Sequence, residues 1–231
     1  MCERSQHQPP QGLTGFTLPP VLPPICHAGL LSLAMHHLGY DALATDIPAI
    51  VDGVLGHNLE TNRLTTTHAP ALEARALDWF APPESWDFTL PSITPPLPAP
   101  SSCATPTPLL TPPFDLLLTS DTAYDPALSS PLLRTLHHLA RMSGVRPAPV
   151  LLALENRDPA LIDAFLRSAR DEWGFKCSRV DDGRLGRLMG EGGLGWVPED
   201  WEGVEVWKLV ARRTARVGKG AQGAEEDAAE I

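Results

Sequence analysis

The feature that most constrains the fold is a regular alternation between short apolar runs and segments of helical periodicity. The runs FDLLLTS (114–120) and PVLLALE (149–155) are continuously apolar and bounded by proline or polar residues, which is typical of buried parallel strands. A helical pattern follows each run, and Asp158 precedes the second helix as a candidate N-cap. This alternation predicts an α/β fold with a mostly parallel sheet.

The same alternation extends in both directions along the chain. Helices are predicted over 30–38, 48–62, 126–142 and 158–173. Strands are predicted over 41–45, 72–77, 114–120, 149–155, 175–180 and 204–210. No helix is predicted between the last two strands, so we expect them to pair antiparallel and the last strand to run against the others.

Composition limits the class of protein. The chain has 231 residues, 43% of them hydrophobic, which suits one sizeable core. The net charge of −10 argues against general nucleic-acid binding, which needs a basic surface. No apolar run approaches the roughly 20 residues of a membrane span, and the four scattered cysteines suit reduced thiols. We therefore expect a soluble protein of the cytoplasm, the nucleus or both, without a metal site.

The 25 prolines concentrate in two tracts, with six in 9–24 and eleven in 82–113. Because proline lacks an amide donor, both tracts are predicted to be irregular. We interpret them as flexible surface segments, and binding to a proline-reading domain is the less favoured alternative. The predicted organisation is an irregular segment 1–28, one domain over 29–217 with a proline-rich insertion at 81–113, and a disordered acidic tail at 218–231.

Several stretches resemble, in order and spacing, one family of proteins. They are GLLSLAMHHLG, ATDIPAIVDGVLGHNLETN, ALDWF, FDLLLTSDTAYDP, LLALENRDP and WEGVEVWKL. They are similar to the seven-β-strand protein-lysine methyltransferases of the methyltransferase 16 family, over roughly 29–210. The resemblance implies a Rossmann-like seven-strand sheet with a reversed last strand. It also implies S-adenosyl-L-methionine as cofactor and a lysine-containing protein as substrate.

Asp46 is the expected anchor of the cofactor ribose. It directly follows the strand predicted over 41–45, which resembles the second strand of the family, and a carboxylate there can accept hydrogen bonds from both ribose hydroxyls. The alternative is a helix-capping role ahead of Pro48. Gly29, where the family resemblance begins, is a further predicted cofactor-binding residue.

Two more strand ends supply cofactor candidates. Trp79 offers a flat apolar face on which the resemblance places the adenine, with Asp78 beside it, and the alternative is an ordinary core aromatic. Thr119 and Ser120 end the strand at 114–120, at the edge of the sheet where ligands of open α/β folds bind.

Asp121 and Tyr124 are the predicted catalytic residues, since they match the family's DxxY pattern. Methyl transfer to an amine needs mostly positioning. An acid that hydrogen-bonds the amine and a phenol that shapes the pocket would suffice. The alternative makes Asp121 the N-cap of the next helix and Tyr124 its hydrophobic staple.

Other polar residues are given structural interpretations. Adjacent histidines at 36–37 and 137–138 point about 100° apart on a helix and cannot chelate together, so they are predicted to be helix-surface and core residues. The glycine-containing segment 183–196 is predicted to be a loop on the substrate side. A surface network is favoured over a role at the substrate mouth for Glu155, Arg157 and Asp158.

The turn before the helix at 30–38 departs from the family pattern. The residues ICHA (25–28) stand where glycines are usual, and TLPPVLPPI (17–25) is a poor central strand because of its prolines. We expect an incomplete first strand and cofactor affinity weaker than the low micromolar range. A non-catalytic or truncated methyltransferase-like protein that acts as a binding module is the alternative function. A further hypothesis is that 1–28 is not the natural N-terminus of a working family member.

Overall fold

The computed structural model describes residues 21–22, 29–94, 109–143, 146–192 and 197–212. These ranges form one seven-stranded sheet with the strand order β3-β2-β1-β4-β5-β7-β6. The strands are β1 Val21–Leu22, β2 Ala42–Asp46, β3 Leu72–Ala76, β4 Leu116–Ser120, β5 Val150–Glu155, β6 Phe175–Arg179 and β7 Val204–Ala211.

Strand direction confirms the predicted fold class. The pairs β3–β2, β2–β1, β1–β4 and β4–β5 are parallel, whereas β7 is antiparallel to both β5 and β6. A parallel sheet with one reversed strand, β7, placed between β5 and β6 is the Rossmann-like methyltransferase arrangement that the sequence predicted.

The central strand β1 is described at Val21–Leu22, and the residues on either side of it lie outside the described part of the chain. Its two residues pair with β2 through Val21 and with β4 through Val21 and Leu22. The expectation of an incomplete first strand stays a prediction. These two residues keep their amide donors between the flanking prolines, so the interpretation of 1–28 as wholly irregular is wrong at this point. The rest of 1–28 lies outside the described residues, as does the tail at 218–231.

Six α-helices occur within the described ranges. They are α1 Leu30–His37, α2 Pro48–Ile50, α3 Gly56–Asn62, α4 Pro126–Arg141, α5 Pro159–Asp171 and α6 Asp182–Glu191. The single helix predicted over 48–62 is observed as α2, a π-helical turn at Val51–Leu55, and α3 in succession. Asp158 caps α5 as predicted, because its side chain accepts the amides of Ala160 and Leu161.

Helix α6 corrects the prediction that β6 and β7 have no helix between them. A 3-10 helix at Pro198–Trp201 also lies in that connection. The side chain of Asp181 caps α6 by accepting the amide of Arg184 at 2.9 Å. Glycines lower the helix propensity of this segment, which is why the pattern at 183–196 was interpreted as a loop.

Two apolar clusters lie between the sheet and its helices. The smaller one, which we call the α1–α3 layer, consists of Ala42, Ala44, Leu55, Leu59 and Leu72. The larger one, the α4–α5 layer, draws most of its members from β4, β5, β7, α4 and α5. The predicted apolar side of α4 is buried in it through Leu132, Leu133, Leu136 and Leu139.

The proline-rich insertion packs on the sheet over much of its described length. Phe88 and Ile93 are buried in the α4–α5 layer. Arg75 of β3 is 2% exposed and donates to the carbonyls of Phe88 at 2.9 Å and Leu90 at 3.1 Å. The interpretation of a flexible surface segment is therefore wrong for this part, while 95–108 lie outside the described residues.

The far end of the insertion is held by the same strand. The guanidinium of Arg75 also donates to the carbonyl of Leu110, and Glu73 accepts the amide of Leu110 at 2.9 Å. An ion pair of 3.3 Å joins Glu73 to Arg75. Glu73 and Arg75 of the edge strand β3 thus hold the insertion at Phe88, Leu90 and Leu110. Among the described residues, no helix is long and apolar enough to cross a membrane.

Candidate functional site

A cavity of about 360 Å³ opens at the carboxyl ends of β2 and β3. We call it the first cavity. Four residues predicted from the sequence line it: Asp46, Asp78, Trp79 and Tyr124. Open α/β sheets bind ligands at this edge, so the fold brings residues that are distant in sequence to one ligand-sized space.

Asp46 is the last residue of β2 and stands at the wall of the first cavity. Its Oδ1 accepts the amide of Ile47 at 2.8 Å. The N-cap of α2 is Ile47, with no side-chain capping bond. The capping alternative for Asp46 is therefore wrong, and its carboxylate remains a candidate ligand for hydroxyl donors.

The turn from Asp78 to Ala81 carries the opposite wall. Its closing bond runs from the amide of Ala81 to the carbonyl of Asp78 at 3.1 Å. The Asp78 carboxylate accepts the amide of Phe80 at 2.8 Å, and the amide of Asp78 donates to Thr94 Oγ1 at 3.3 Å. These bonds stabilise the turn, and its residues Asp78, Trp79 and Phe80 line the first cavity.

Trp79 belongs both to this cavity and to the edge of the core. It is half-buried and packs against the α4–α5 layer, and its side of the turn lines the first cavity. The two interpretations of this residue, core aromatic and adenine platform, are compatible in the observed geometry. A half-buried indole can offer one face to the protein and the other to a ligand.

A second cavity, of about 420 Å³, opens at the carboxyl ends of β4 and β5. Asp121 and Tyr124 line it, so Tyr124 borders both cavities. Tyr124 is 62% exposed. The rest of the wall combines apolar and charged side chains, namely Ala123, Leu154, Leu161, Ile162, Glu155, Arg157 and Asp158.

Asp121 has an uncommon backbone conformation for a residue other than glycine, with φ at 51°. The amide of Asp121 donates to the carbonyl of Ala153 at 2.9 Å, and its Oδ1 accepts the amide of Glu155 at 3.3 Å. Residues held in the left-handed region are strained and cluster at functional sites. The neighbouring strand β5 thus holds Asp121 in place at the edge of the second cavity.

The capping alternative for Asp121 and Tyr124 is wrong. The N-cap of α4 is Asp125, whose side chain accepts the amide of Ala127 at 2.8 Å. A hydrophobic staple would pair Tyr124 with an apolar residue at the fourth helical position, which is Ser129. The chain needs several residues to turn from β4 into the helix, so the cap falls later than the pattern suggested.

Three predicted cofactor-binding residues are not among those that line either cavity. Thr119 is buried, and its hydroxyl lies 2.6 Å from that of Thr122, which does line the first cavity. Ser120 ends β4 beside Asp121. The roles of Thr119 and Ser120 stay predictions.

Gly29 is the third of these residues, and it has a clear packing role. Its φ is 79°, and a Cβ there would lie 2.7 Å from Leu55 Cδ1 and 2.8 Å from Leu59 Cδ2. The position therefore needs glycine both for its backbone conformation and for close contact between the start of α1 and the helix that follows β2.

Charged residues beside the second cavity form a surface network. Arg157 donates to the carboxylate of Glu155. This hydrogen bond lowers the pKa of Glu155 and raises that of Arg157, which Asp121 raises further. The favoured surface-network interpretation fits this pair, which nevertheless borders the cavity.

The histidine pairs have structural positions, as predicted. His36 is buried and accepts the amide of Leu64 on Nε2 at 2.8 Å, whereas His37 is exposed. His137 packs against the rings of Trp173 and Phe175, with centroids 5.6 and 5.8 Å away. Burial is the main cause that lowers the pKa of His36 and of His137. Across the described ranges, no three His, Cys, Asp or Glu residues are grouped to hold a metal ion.

Sequence reasoning missed Arg134, which contacts the turn that carries Trp79. Its guanidinium donates to the carbonyl of Trp79 at 2.6 Å and to that of Ala81 at 3.3 Å. Arg134 lies inside a regular helical pattern, and its partners are more than fifty positions away in sequence. No local signal in the sequence could have found this contact.

Comparisons with known proteins find only remote structural similarity. No family model matches the chain, and no curated protein matches it. Among solved structures, the chain is similar to magnesium protoporphyrin IX methyltransferase from Synechocystis PCC 6803 with bound SAH, at 14% identity and a TM-score of 0.45, covering 84% of this chain and 75% of that one. It is also similar to a methyltransferase from Pyrococcus furiosus, at 10% identity and a TM-score of 0.45, covering 84% and 76%.

A third similar structure is a TehB-like SAM-dependent methyltransferase from Corynebacterium glutamicum ATCC 13032. Its identity is 12% and its TM-score 0.45, over 86% of this chain and 83% of that one. Such remote similarity says nothing about the substrate of this chain. The fold assignment rests instead on the strand order and on the reversed β7, which this chain shows by itself.

Proposed function

We propose that this protein binds S-adenosyl-L-methionine and transfers its methyl group to a lysine side chain of a protein substrate. The observation that carries the proposal is the first cavity, where Asp46, Asp78 and Trp79 converge at the carboxyl edge of the sheet. The second cavity supports the transfer step, because it shares Tyr124 with the first and places Asp121 beside it.

The residues present fit the adenosine part of the cofactor. The Asp46 carboxylate at the end of β2 suits a ribose, because it can accept two hydroxyl donors. The half-buried indole of Trp79 suits an adenine, which needs an apolar face. Residues 23–28, which precede α1, lie outside the described part of the chain. We therefore assign no residue to the methionine end of the cofactor.

The transfer step depends on orientation more than on covalent help from the protein. S-adenosyl-L-methionine supplies an activated methyl group when it is bound. In the proposal, Asp121 accepts a hydrogen bond from the neutral lysine amine and directs its lone pair towards the first cavity. Tyr124 forms the boundary across which the amine approaches. The apolar part of the second cavity accommodates the aliphatic stem of a lysine.

A second candidate function is a non-catalytic binding module with the methyltransferase fold. The observation that favours it is the sequence ICHA at 25–28, whose bulky residues stand where the family has glycines. Such a module would retain the cavities but would not transfer a methyl group. Both candidates predict a folded protein, so activity separates them.

The test of the proposed reaction is a methyl-transfer assay with radiolabelled S-adenosyl-L-methionine and an array of lysine-containing peptides. We expect Asp121→Ala to lower kcat with little change in the KM for the cofactor. Trp79→Ala should raise that KM with a smaller effect on kcat, because the indole contacts the cofactor and not the amine.

The assay has a matched control in Asp125→Asn, which retains an N-cap side chain outside both sets of lining residues. Label that enters arginine, histidine or a non-protein acceptor would overturn the lysine assignment. Absence of transfer from a protein that still binds S-adenosylhomocysteine would favour the binding module.

A further inference from the structure

Arg134 connects a helix to the wall of the first cavity. It belongs to α4 and is half-buried. One terminal nitrogen of its guanidinium donates to the carbonyl of Trp79 at 2.6 Å and to that of Ala81 at 3.3 Å. Its Nε is buried and has no hydrogen-bond partner among the described residues, so the identified bonds of this guanidinium converge on the turn.

Apart from Arg134, the turn from Asp78 to Ala81 is held by bonds within itself and by the bond from the Asp78 amide to Thr94 Oγ1. The amide of Ala81 donates to the carbonyl of Asp78, and the amide of Phe80 donates to the Asp78 carboxylate. These bonds define the local shape of the turn. They do not fix its position relative to α4, which also contributes Leu128 to the cavity wall.

We propose that Arg134 is a positioning residue for the cofactor, a role that rests on the proposed function. By holding the carbonyls of Trp79 and Ala81, Arg134 fixes the distance between the turn and α4 and so sets the orientation of the Trp79 indole. Hydrogen bonds from a charged donor are shorter and stronger than neutral ones. Both bonds come from one terminal nitrogen, whose hydrogens have fixed directions in the planar guanidinium, whereas a lysine ammonium is a point charge with rotating donors on a flexible stem.

The experiment measures ligand affinity by following the indole resonances of isotope-labelled protein in solution. The ligands are S-adenosylhomocysteine and methylthioadenosine, which share the adenosine part and differ at the amino-acid end. The variants are Arg134→Gln, Arg134→Lys and Trp79→Ala, with the double variant of Arg134→Gln and Trp79→Ala. The control is Arg141→Gln on the same helix, whose identified bond runs at 3.5 Å to the carbonyl of Arg212, away from the turn.

We expect Arg134→Gln to weaken binding of both ligands by a similar factor, about fivefold. Arg134→Lys should retain part of the affinity, and Arg141→Gln should bind as the wild type does. In the Trp79→Ala background, Arg134→Gln should have no further effect, because the residue acts through the indole. Wild-type affinity in Arg134→Gln, or an undiminished loss in the Trp79→Ala background, would overturn the proposal.

Hydrogen exchange supplies a readout that needs no ligand. The amides of Phe80 and Ala81 should exchange faster in Arg134→Gln than in the wild type or in Arg141→Gln, if Arg134 holds the turn. A wild type that binds neither ligand would overturn the proposed function, and with it the cofactor role of Arg134. Unchanged exchange at these amides would overturn the positioning role by itself.

Discussion

The α1–α3 layer and the α4–α5 layer cover the same sheet with very different amounts of apolar material. The first has five buried residues, two of them alanines. The second contains Phe114, Phe165 and Phe175 together with the leucines of α4. Since hydrophobic stabilisation scales with the apolar area removed from water, the α4–α5 layer is expected to carry most of the stability of the fold.

The thinner layer depends on a few specific contacts instead. Gly29 allows α1 to approach Leu55 and Leu59. His36 accepts the amide of Leu64, and Asp41 accepts the amide of Ala71 at 2.6 Å. Regions with few buried apolar contacts open at lower free energy than the core. The β2 side of the first cavity therefore lies on the less stable part of the molecule.

The largest expected effect comes from the core of the α4–α5 layer. Phe165→Ala should lower the free energy of unfolding by about 3–5 kcal/mol, because it leaves a large cavity among close-packed residues. The matched change in the thinner layer, Leu59→Ala, should cost about 2–3 kcal/mol. Urea denaturation followed by circular dichroism measures both, and equal losses would break the comparison.

The next effect concerns the insertion. Arg75→Met should lower the free energy of unfolding by about 2–4 kcal/mol, because it leaves buried carbonyls and the Glu73 carboxylate without their donor. Limited proteolysis should then cut within 81–94, where the wild type resists. Arg167→Met on the exposed side of α5 is the control and should change neither property.

A smaller effect is expected at the start of α1. Gly29→Ala should cost about 1–3 kcal/mol, because a residue with a side chain is strained at positive φ and its Cβ would press on Leu55 and Leu59. The control is Gly53→Ala in the π-helical turn, where a Cβ meets nothing within 4 Å. Gly53→Ala should be neutral or stabilising by about 0.5–1 kcal/mol. Thermal unfolding distinguishes the two, and equal effects would contradict the packing role of Gly29.

The smallest effect is a pH dependence that arises from one histidine of α1 and one of α4. Burial lowers the pKa of His36 and of His137 in the folded state, while the unfolded chain has the ordinary value of about 6.5. The unfolded state therefore binds more protons as the pH falls. The stabilising contribution is complete above about pH 6.5 and is lost as the pH falls below that value, by at most about 1.4 kcal/mol per pH unit for each histidine.

The slope of the free energy of unfolding against pH, measured in histidine variants, tests the contributions of His36 and His137. His36→Gln and His137→Gln should each reduce the slope between pH 7 and pH 5.5. His37→Gln, on the exposed side of α1, should leave the slope close to that of the wild type. A slope that neither substitution changes would show that other groups control the acid sensitivity.

Local sequence patterns predicted most of the strands and helices, because the signals that define these elements lie within the elements themselves. The strands β4 and β5, the helix α5 and its cap Asp158 follow from apolar runs and one capping residue. Helix α6 was missed since its glycines weaken the propensity on which such predictions depend. The packing of the insertion was missed because Arg75 bonds to its carbonyls, and no periodicity in the sequence links Arg75 to the insertion.

The candidate site shows the same division between local and long-range information. Asp46 was predicted from its place at the end of a strand, whereas Asp78, Trp79 and Asp121 were predicted from the family resemblance. The fold brings Asp46, Asp78 and Trp79 to one cavity because strand ends in an α/β sheet meet at one edge. The capping roles were misassigned by a few positions, with Asp125 and not Asp121 at the start of α4. Arg134 could not be found, since only the folded chain brings it to Trp79.

Calorimetric titration of the purified protein with S-adenosylhomocysteine tests most directly whether the first cavity binds the cofactor. We predict saturable binding, weaker than the low micromolar range because the glycine-rich turn is absent from the sequence. Asp46→Asn should weaken it by about tenfold or more through loss of the charged acceptor for the ribose hydroxyls, whereas Asp52→Asn, an acid on the nearby π-helical turn, should bind as the wild type does. No heat of binding at millimolar ligand, or equal affinity in wild type and Asp46→Asn, would contradict the assignment of the first cavity to the cofactor.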